Sequence, residues 1–584
     1  MNLRGLRHRL ALSHFTHDFV DMRILGPILV VTVTACSPVS DTTSSAPSSN
    51  ALSRLSSHST HGMVVTGSPD ATAAGVTILE AGGNAIDAAV ATALALAVAE
   101  PTQSGLGGRT QALVYLADGT AFGFDGTTSV PADYDPDTAE QADDGYAVIG
   151  VPGTVAALAA VLQRGGSMAW SDVIAPALAL ADGGVTLTGG EAGRLASIAD
   201  RLRESDGARA AFLRSDGTPY AEGDLLRQPA LADVLRILGD EGAEAFYRGR
   251  IAEVIAQDLE QNGYVDRVDL AAYQPVPSIL TRGRIGDLEL LGTYLPASGG
   301  TTIEALQIAA LVGVDTLSSD ERAVATALSL LAAFEDRESA LADARPGEED
   351  AAWVTSVERA RERAAEIRAA LGAAVHQTAE RPEPHGTATA LSSRETSAES
   401  PFTTHLSVVD DQGNAVSMTQ SLGPSGGSRV ATPGLGFLYA ATLGGYLGRV
   451  EPGDRPWSSQ SPLIGLRDGR PVFVIGGAGS RRIISGLVNT LLRVELDGAS
   501  LAEAMAAPRL HPSSTWTFEQ AEGSTGSRPA GAELAEALGH EVVERPFDVW
   551  FSRLNAIAID RTTGAFEGVA DPRWRWGSAA GPER

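Results

Sequence analysis

Residues 403–421 constrain this chain more than any other stretch, because they specify two paired strands in one register. Thr403-Thr404-His405-Leu406-Ser407-Val408-Val409-Asp410 is rich in β-formers, Asp411-Gln412-Gly413-Asn414 is turn chemistry, and residues 415–419 alternate again. A hairpin of this length returns its second strand beside the start of its first, so Ser421 is expected to face Thr403. A threonine that opens a strand beside a second hydroxyl suits an ordinary edge hairpin. It also suits a nucleophile waiting to become N-terminal. Taken alone, the stretch favours the plain hairpin.

The chain has 584 residues, more than a typical single domain, so it has room for more than one core. Aromatics make up only 5%, so the core must be built from Ala, Val, Leu and Gly. Every one of the 44 Lys/Arg positions is arginine, and the net charge is -28. Such a surface argues against nucleic-acid binding, which needs basic patches. Without lysine no P-loop G-x-x-x-x-G-K-[ST] is possible. The ten histidines do not cluster with carboxylates at metal-ligand spacing, and His58 and His61 fall in a tether, so no metal and no cofactor is expected.

The single cysteine, Cys36, excludes an intrachain disulfide framework and a zinc cluster. It follows an uncharged apolar run over residues 24–35, too short to span a bilayer comfortably. Val33-Thr34-Ala35-Cys36 resembles a bacterial lipobox, in which the Cys is lipidated and becomes the mature N-terminus. The alternative is a plain secretory signal. Met22 is a plausible true start. Residues 1–36 are therefore expected to be a signal and lipobox segment, and the Ser/Thr-rich residues 37–61 a flexible tether. The protein is expected to be exported to the cell envelope or periplasm, touching a membrane only through its lipid anchor.

The folded body is expected to open with a strand over 63–66, a helix over 69–80 stopped by Gly82-Gly83, and a second helix capped by Asn84 and running to about Ala99. That second helix is apolar almost all round and so is buried between layers, with Asp87 as a buried hydrogen-bonding residue. Residues 111–115 and 121–124 are expected to pair as strands. The middle of the chain reads as helices over 301–312, 323–334 and 356–371, and residues 374–402 as an exposed, mobile loop ahead of Thr403.

Several motifs then fall in one order. They are Gly82-Gly83-Asn84-Ala85-Ile86-Asp87-Ala88-Ala89, Glu100-Pro101, Gly105-Leu106-Gly107-Gly108, Val151-Pro152-Gly153-Thr154, Phe246-Tyr247-Arg248-Gly249 and Pro296-Ala297-Ser298-Gly299-Gly300. Further on come Thr403-Thr404-His405, Arg455-Pro456-Trp457-Ser458-Ser459-Gln460-Ser461-Pro462, Ala507-Pro508-Arg509 and Asp571-Pro572-Arg573. In this order, over residues 62–575, the chain resembles the γ-glutamyltransferase (γ-glutamyltranspeptidase) family of Ntn-hydrolases. The resemblance implies an α/β fold of the αββα type, two stacked sheets flanked by helices. It also implies a precursor cut between Phe402 and Thr403 into a large subunit, 62–402, and a small catalytic subunit, 403–584, which remain together as a heterodimer.

The resemblance assigns roles one residue at a time. Thr403 is the nucleophile, and its freed α-amine is the base. Ser421 falls where a family threonine assists the nucleophile. Ser458 and Ser459 fall where a serine pair holds the substrate α-carboxylate. The N–H groups of Gly479 and Ser480 fall at the oxyanion hole. Substrates would be γ-glutamyl amides such as glutathione, with water or an amine as acceptor.

The departures are as informative. The family's carboxylate-binding arginine falls on or near Thr127, and the side chains gripping the glutamyl amino group fall near Gly423, Thr442 and Gly445, none of which carries them. Arg109, in a turn where small residues are usual, is the expected replacement for the lost guanidinium. The altered set favours hydrolysis over transfer. It also keeps open a related acylase acting on a non-glutamyl amide, in the manner of cephalosporin acylases, and an uncleaved binding lipoprotein of the same fold. Gly423-Pro424-Ser425-Gly426-Gly427 matches an esterase elbow, but no helical pattern follows it. His405 reads as a packed strand residue, because the N-terminal amine already serves as base.

Overall fold

Two seven-stranded antiparallel sheets stack face to face. The computed structural model describes residues 55–342, 347–380, 402–445, 447–523 and 528–583. One sheet runs, edge to edge, through Ser578–Ala580, Gly62–Thr66, Thr404–Asp410, Ala415–Ser421, Arg109–Tyr115, Ala121–Gly126 and Val276–Pro277. The other runs through Ser56–Ser59, Phe566–Ala570, Arg553–Ile559, Arg470–Ala478, Leu463–Arg467, Leu288–Thr293 and Leu280–Ile285.

Strand periodicity divides the apolar residues between two faces. Leu406, Val408, Val416, Met418, Ala112 and Val114 face a helical layer. Val409, Ala415, Leu113 and Tyr115 face the opposing sheet, against Ile464, Val474 and Ile557. On the far side, Leu290, Leu463, Ile475 and Ala556 pack under a second helical layer. Three apolar seams separate four layers, the expected αββα order.

Helix Ala85–Ala99 is buried along its whole length. Asn84 and Asp87 form a capping box at its start, and the Asp87 carboxylate also accepts from Ser167 and Met168. Asp87 is thus a structural acceptor.

The expected elements over residues 62–126 fall within a residue or two of those observed. Three boundaries need correction. Residues 56–59, assigned to the tether, form an edge strand paired with Phe566–Ala570. Its Ser-Ser-His-Ser sequence has no apolar alternation, because an edge strand joins the sheet through backbone hydrogen bonds. The helix expected over 323–334 is Ser319–Ala342, and that over 356–371 is Val357–Glu380. The second of these takes in residues 374–380, part of the expected loop. Residues 381–401 lie outside the described residues, as do Cys36 and the signal segment. No helix among the described residues is long and apolar enough to cross a membrane.

Candidate active site

The central hairpin is antiparallel, with Thr404 opposite Gln420 and His405 opposite Thr419. One step outward, Thr403 meets Ser421, and their hydroxyl oxygens lie 3.1 Å apart. The Ser421 hydroxyl is also 3.1 Å from the carbonyl oxygen of Phe402 and accepts the Gly423 N–H at 2.9 Å. A single hydroxyl therefore touches the Thr403 oxygen and the carbonyl just before it in the chain. Gly423 makes this contact with φ +94°, a conformation natural to glycine.

Directly paired residues project to one face of a sheet. Ser421 pairs with Arg109, and Thr110 with Gly126, which brings Thr127 opposite Arg109. Thr403, Ser421, Arg109 and Thr127 thus form one row across four strands. Arg109 is buried, two strands from Thr403 and on its side of the sheet. The Thr127 hydroxyl accepts from Gln111 at 3.0 Å.

The next row inward is His405, Thr419, Gln111 and Asp125. His405 is sealed between the sheets. Its Nδ1 lies 2.8 Å from the Thr419 hydroxyl and its Nε2 3.2 Å from that of Ser407. Burial pulls its pKa down to about 3, so the ring is neutral and structural. The opposing residue is Gly476, where a Cβ would lie 2.2 Å from the imidazole.

This stacking fixes where the second sheet meets Thr403. Asn555, paired with Gly476, donates to the His405 carbonyl at 2.7 Å. Arg553, paired with Ala478, donates to the Thr403 carbonyl at 2.6 Å. The end of strand Arg470–Ala478 therefore lies over Thr403. Gly479 and Ser480 follow at φ +139° and +57°, and helix Arg482–Asp497 begins two residues later. A non-glycine residue in the left-handed region just ahead of a helix N-terminus fits a turn built to present N–H groups.

Ser458 reaches the same region through Gln460. The Ser458 hydroxyl donates to Gln460 Oε1 at 3.2 Å, and Gln460 Nε2 donates to the Thr419 carbonyl at 2.8 Å. Ser459 is half-buried beside it. Thr442 is buried, and its hydroxyl donates to Thr128 at 2.9 Å. Gly445 lies in a turn at φ +89°, and no helix follows residues 423–427.

A buried cluster adjoins Thr403 that the sequence reading did not find. Arg553 also donates to Gln103, and the Gln103 amide lies 3.3 Å from Glu191. The guanidinium groups of Arg553 and Arg194 both lie over the Trp574 ring, at 4.5 and 4.3 Å, and Arg194 also sits 5.5 Å from the Phe402 ring. Burial, reinforced by Arg194, pulls the Arg553 pKa down to about 9. Burial raises that of Glu191 against the pull of Arg194. The one signal in the sequence was an arginine and an asparagine at the head of an apolar strand, Arg553–Ile559.

A family model described as Gamma-glutamyltranspeptidase matches residues 71–581. The chain is 30% identical over 544 residues to the glutathione hydrolase proenzyme of Escherichia coli strain K12, covering 88% of this chain and 90% of that protein. It is 32% identical over 536 residues to the Acylase ACY 1 proenzyme of Pseudomonas sp. strain V22, covering 87% and 91%. Among solved structures, the cephalosporin acylase from Bacillus halodurans matches with a TM-score of 0.76 at 25% identity, covering 95% of this chain and 100% of that one.

Proposed function

The chain belongs to the γ-glutamyltranspeptidase family of Ntn-hydrolases, and from that premise we propose that it frees Thr403 by self-cleavage and uses it to break γ-glutamyl amide bonds of the glutathione type. The observation that carries this reading is the Ser421 hydroxyl bridging the Thr403 hydroxyl and the Phe402 carbonyl.

In processing, Thr403 Oγ1 adds to the Phe402 carbonyl carbon and the C–N bond breaks. An ester then joins Phe402 to Oγ1, and the released nitrogen carries the hydroxyl proton. Water hydrolyses the ester, leaving a Phe402 carboxylate and a free Thr403 amine. That amine has an ordinary pKa of about 7.7–8.0 and serves as the base for its own hydroxyl. In turnover Oγ1 attacks the substrate carbonyl, the amine leaving group takes a proton, and a γ-glutamyl ester remains on Thr403. Water or an amine then releases it. The N–H groups of Gly479 and Ser480 receive the oxyanion, each contributing on the order of 3 kcal/mol to the transition state. Ser458 and Ser459 hold the α-carboxylate, and Arg109 supplies the cation from the row that contains Thr403 and Ser421. Gly423 and Thr442 stand at the family's glutamyl-gripping positions without a charged side chain, the Thr442 hydroxyl being engaged by Thr128 and its methyl packed beside Gly150.

A second reading rests on a specific observation. Thr127, Gly423, Thr442 and Gly445 offer no charged grip for a glutamyl amino group, and the Pseudomonas relative and the Bacillus halodurans structure are both named as acylases. Hydrolysis of γ-glutamyl and non-glutamyl (glutaryl, aliphatic acyl) anilides by the same preparation separates the two. The leading reading expects γ-glutamyl anilide to be the best substrate, with kcat/KM falling at least tenfold in Arg109→Gln. A preference for glutaryl anilide, which lacks the amino group, would transfer the assignment to the acylase reading. Export on a Cys36 lipid anchor is part of this proposal, supported by the lipobox. It is tested by the loss of membrane fractionation in Cys36→Ala.

A further inference from the structure

A cavity of about 570 Å³ that shares no lining residue with the Thr403 site lies where the start of helix Ser319–Ala342 and the end of helix Arg482–Asp497 meet the small sheet carrying Thr515–Glu519. Four arginines line it: Arg322, Arg493, Arg509 and Arg528. Glu519 is the one carboxylate on the wall. The wall itself thus carries more guanidinium than carboxylate groups, although the net charge of the chain is -28.

Three of the four arginines are matched. Arg322 pairs with Asp497 at 2.6 Å, and Arg528 with Glu536. Arg509 belongs to a closed quartet in which Asp571 bridges Arg509 and Arg573, and Glu519 accepts from Arg573. Arg493 differs: its Nη2 donates to the Pro508 carbonyl at 2.8 Å, and it forms no ion pair among the described residues. Burial disfavours its charge, as do the nearby Arg322 and Arg573, and the fields of Asp497 and Glu519 offset this only in part. On the same wall, the side chain of Arg509 is 1% exposed and its Nε has no hydrogen-bond acceptor. An unpaired guanidinium facing a chamber beside a buried orphan donor is the arrangement an anion relieves.

We propose that this cavity is a binding site for a small oxyanion, a carboxylate or a phosphate, with Arg493 as its ion-pairing group. The site is separate from the Thr403 centre and does not rest on the reaction assigned there.

Isothermal titration calorimetry tests this with inorganic phosphate and with succinate, each against chloride at matched ionic strength. The expected result is saturable binding of one or both at one site per chain. Binding should weaken at least tenfold in Arg493→Gln and recover in part in Arg493→Lys. Ala323→Phe fills the cavity without altering an arginine and should also abolish binding, which keeps the test decisive if Arg493→Gln fails to fold. Absence of saturable binding to the wild type, or binding unchanged in the cavity-filled variant, would overturn the proposal.

Discussion

Ser421 holds the site together, since one hydroxyl meets Thr403, the Phe402 carbonyl and the Gly423 N–H. Ser421→Ala removes all three contacts and leaves the Gly423 N–H without its partner. A lost hydrogen bond of this kind costs roughly 1–3 kcal/mol. Processing and turnover should therefore slow by about 10- to 100-fold, and Ser421→Thr should restore most of both; time courses of cleavage and anilide hydrolysis measure this. The meeting of Thr403 and Ser421 was legible in the sequence because hairpin register is a local property, set by the length of two strands and one turn. Arg553 was not legible. It reaches the Thr403 carbonyl from 150 positions away in the chain, through the stacking of two sheets, and nothing near Thr403 announces it.

At the scale of elements, the hairpin depends on the glycine opposite it. A Cβ at Gly476 would meet three atoms of a ring already held by Thr419 and Ser407. Gly476→Ala should destabilise the fold by ~1–3 kcal/mol through overpacking, seen as a lowered Tm, and should displace the strand end that carries Gly479.

The helical layer holds a second case. Helix Ser319–Ala342 runs past Phe334 because Asp336 and Arg337 point inward; Asp336 binds Arg359 at 2.6 Å and also Arg363. Ion pairs there replace the apolar pattern that marks a helix in sequence, so the periodicity ended before the helix did. Glu304 is buried beside Asp336, its pKa raised well above the carboxylate range by burial and by the Asp336 charge. Protonated, it can donate to Asp336. Its folded pKa exceeds its unfolded one, so its contribution to stability is complete below about pH 4.3 and is lost as pH rises toward the folded pKa. Glu304→Gln removes that loss. Its Tm relative to wild type should rise between pH 5 and pH 8, and thermal melts across that range check the slope.

At the scale of the whole molecule, the Phe402–Thr403 bond divides the sequence without dividing the fold. In the first sheet, Thr404–Asp410 and Ala415–Ser421 lie between Gly62–Thr66 and Arg109–Tyr115, which come from the other side of that bond. In the second, four consecutive strands from the C-terminal portion are flanked by Ser56–Ser59 and by Leu288–Thr293. The two chains should therefore co-migrate in size-exclusion chromatography after cleavage and separate only in denaturant. The αββα architecture was legible because its motifs recur in order along the chain. The substrate grip was less so, because the positions that depart from the family pattern, Thr127, Gly423, Thr442 and Gly445, say what is missing and not what replaces it.

The proposed chemistry requires Thr403 to become an N-terminus by its own action. Intact-mass spectrometry of the purified protein, wild type beside Thr403→Ala, tests it most directly. The expected result is a wild-type fragment whose mass corresponds to residues 403–584 and whose first residue is threonine, with only the uncut chain in the variant. An uncut wild type, or the same fragment from Thr403→Ala, would contradict it.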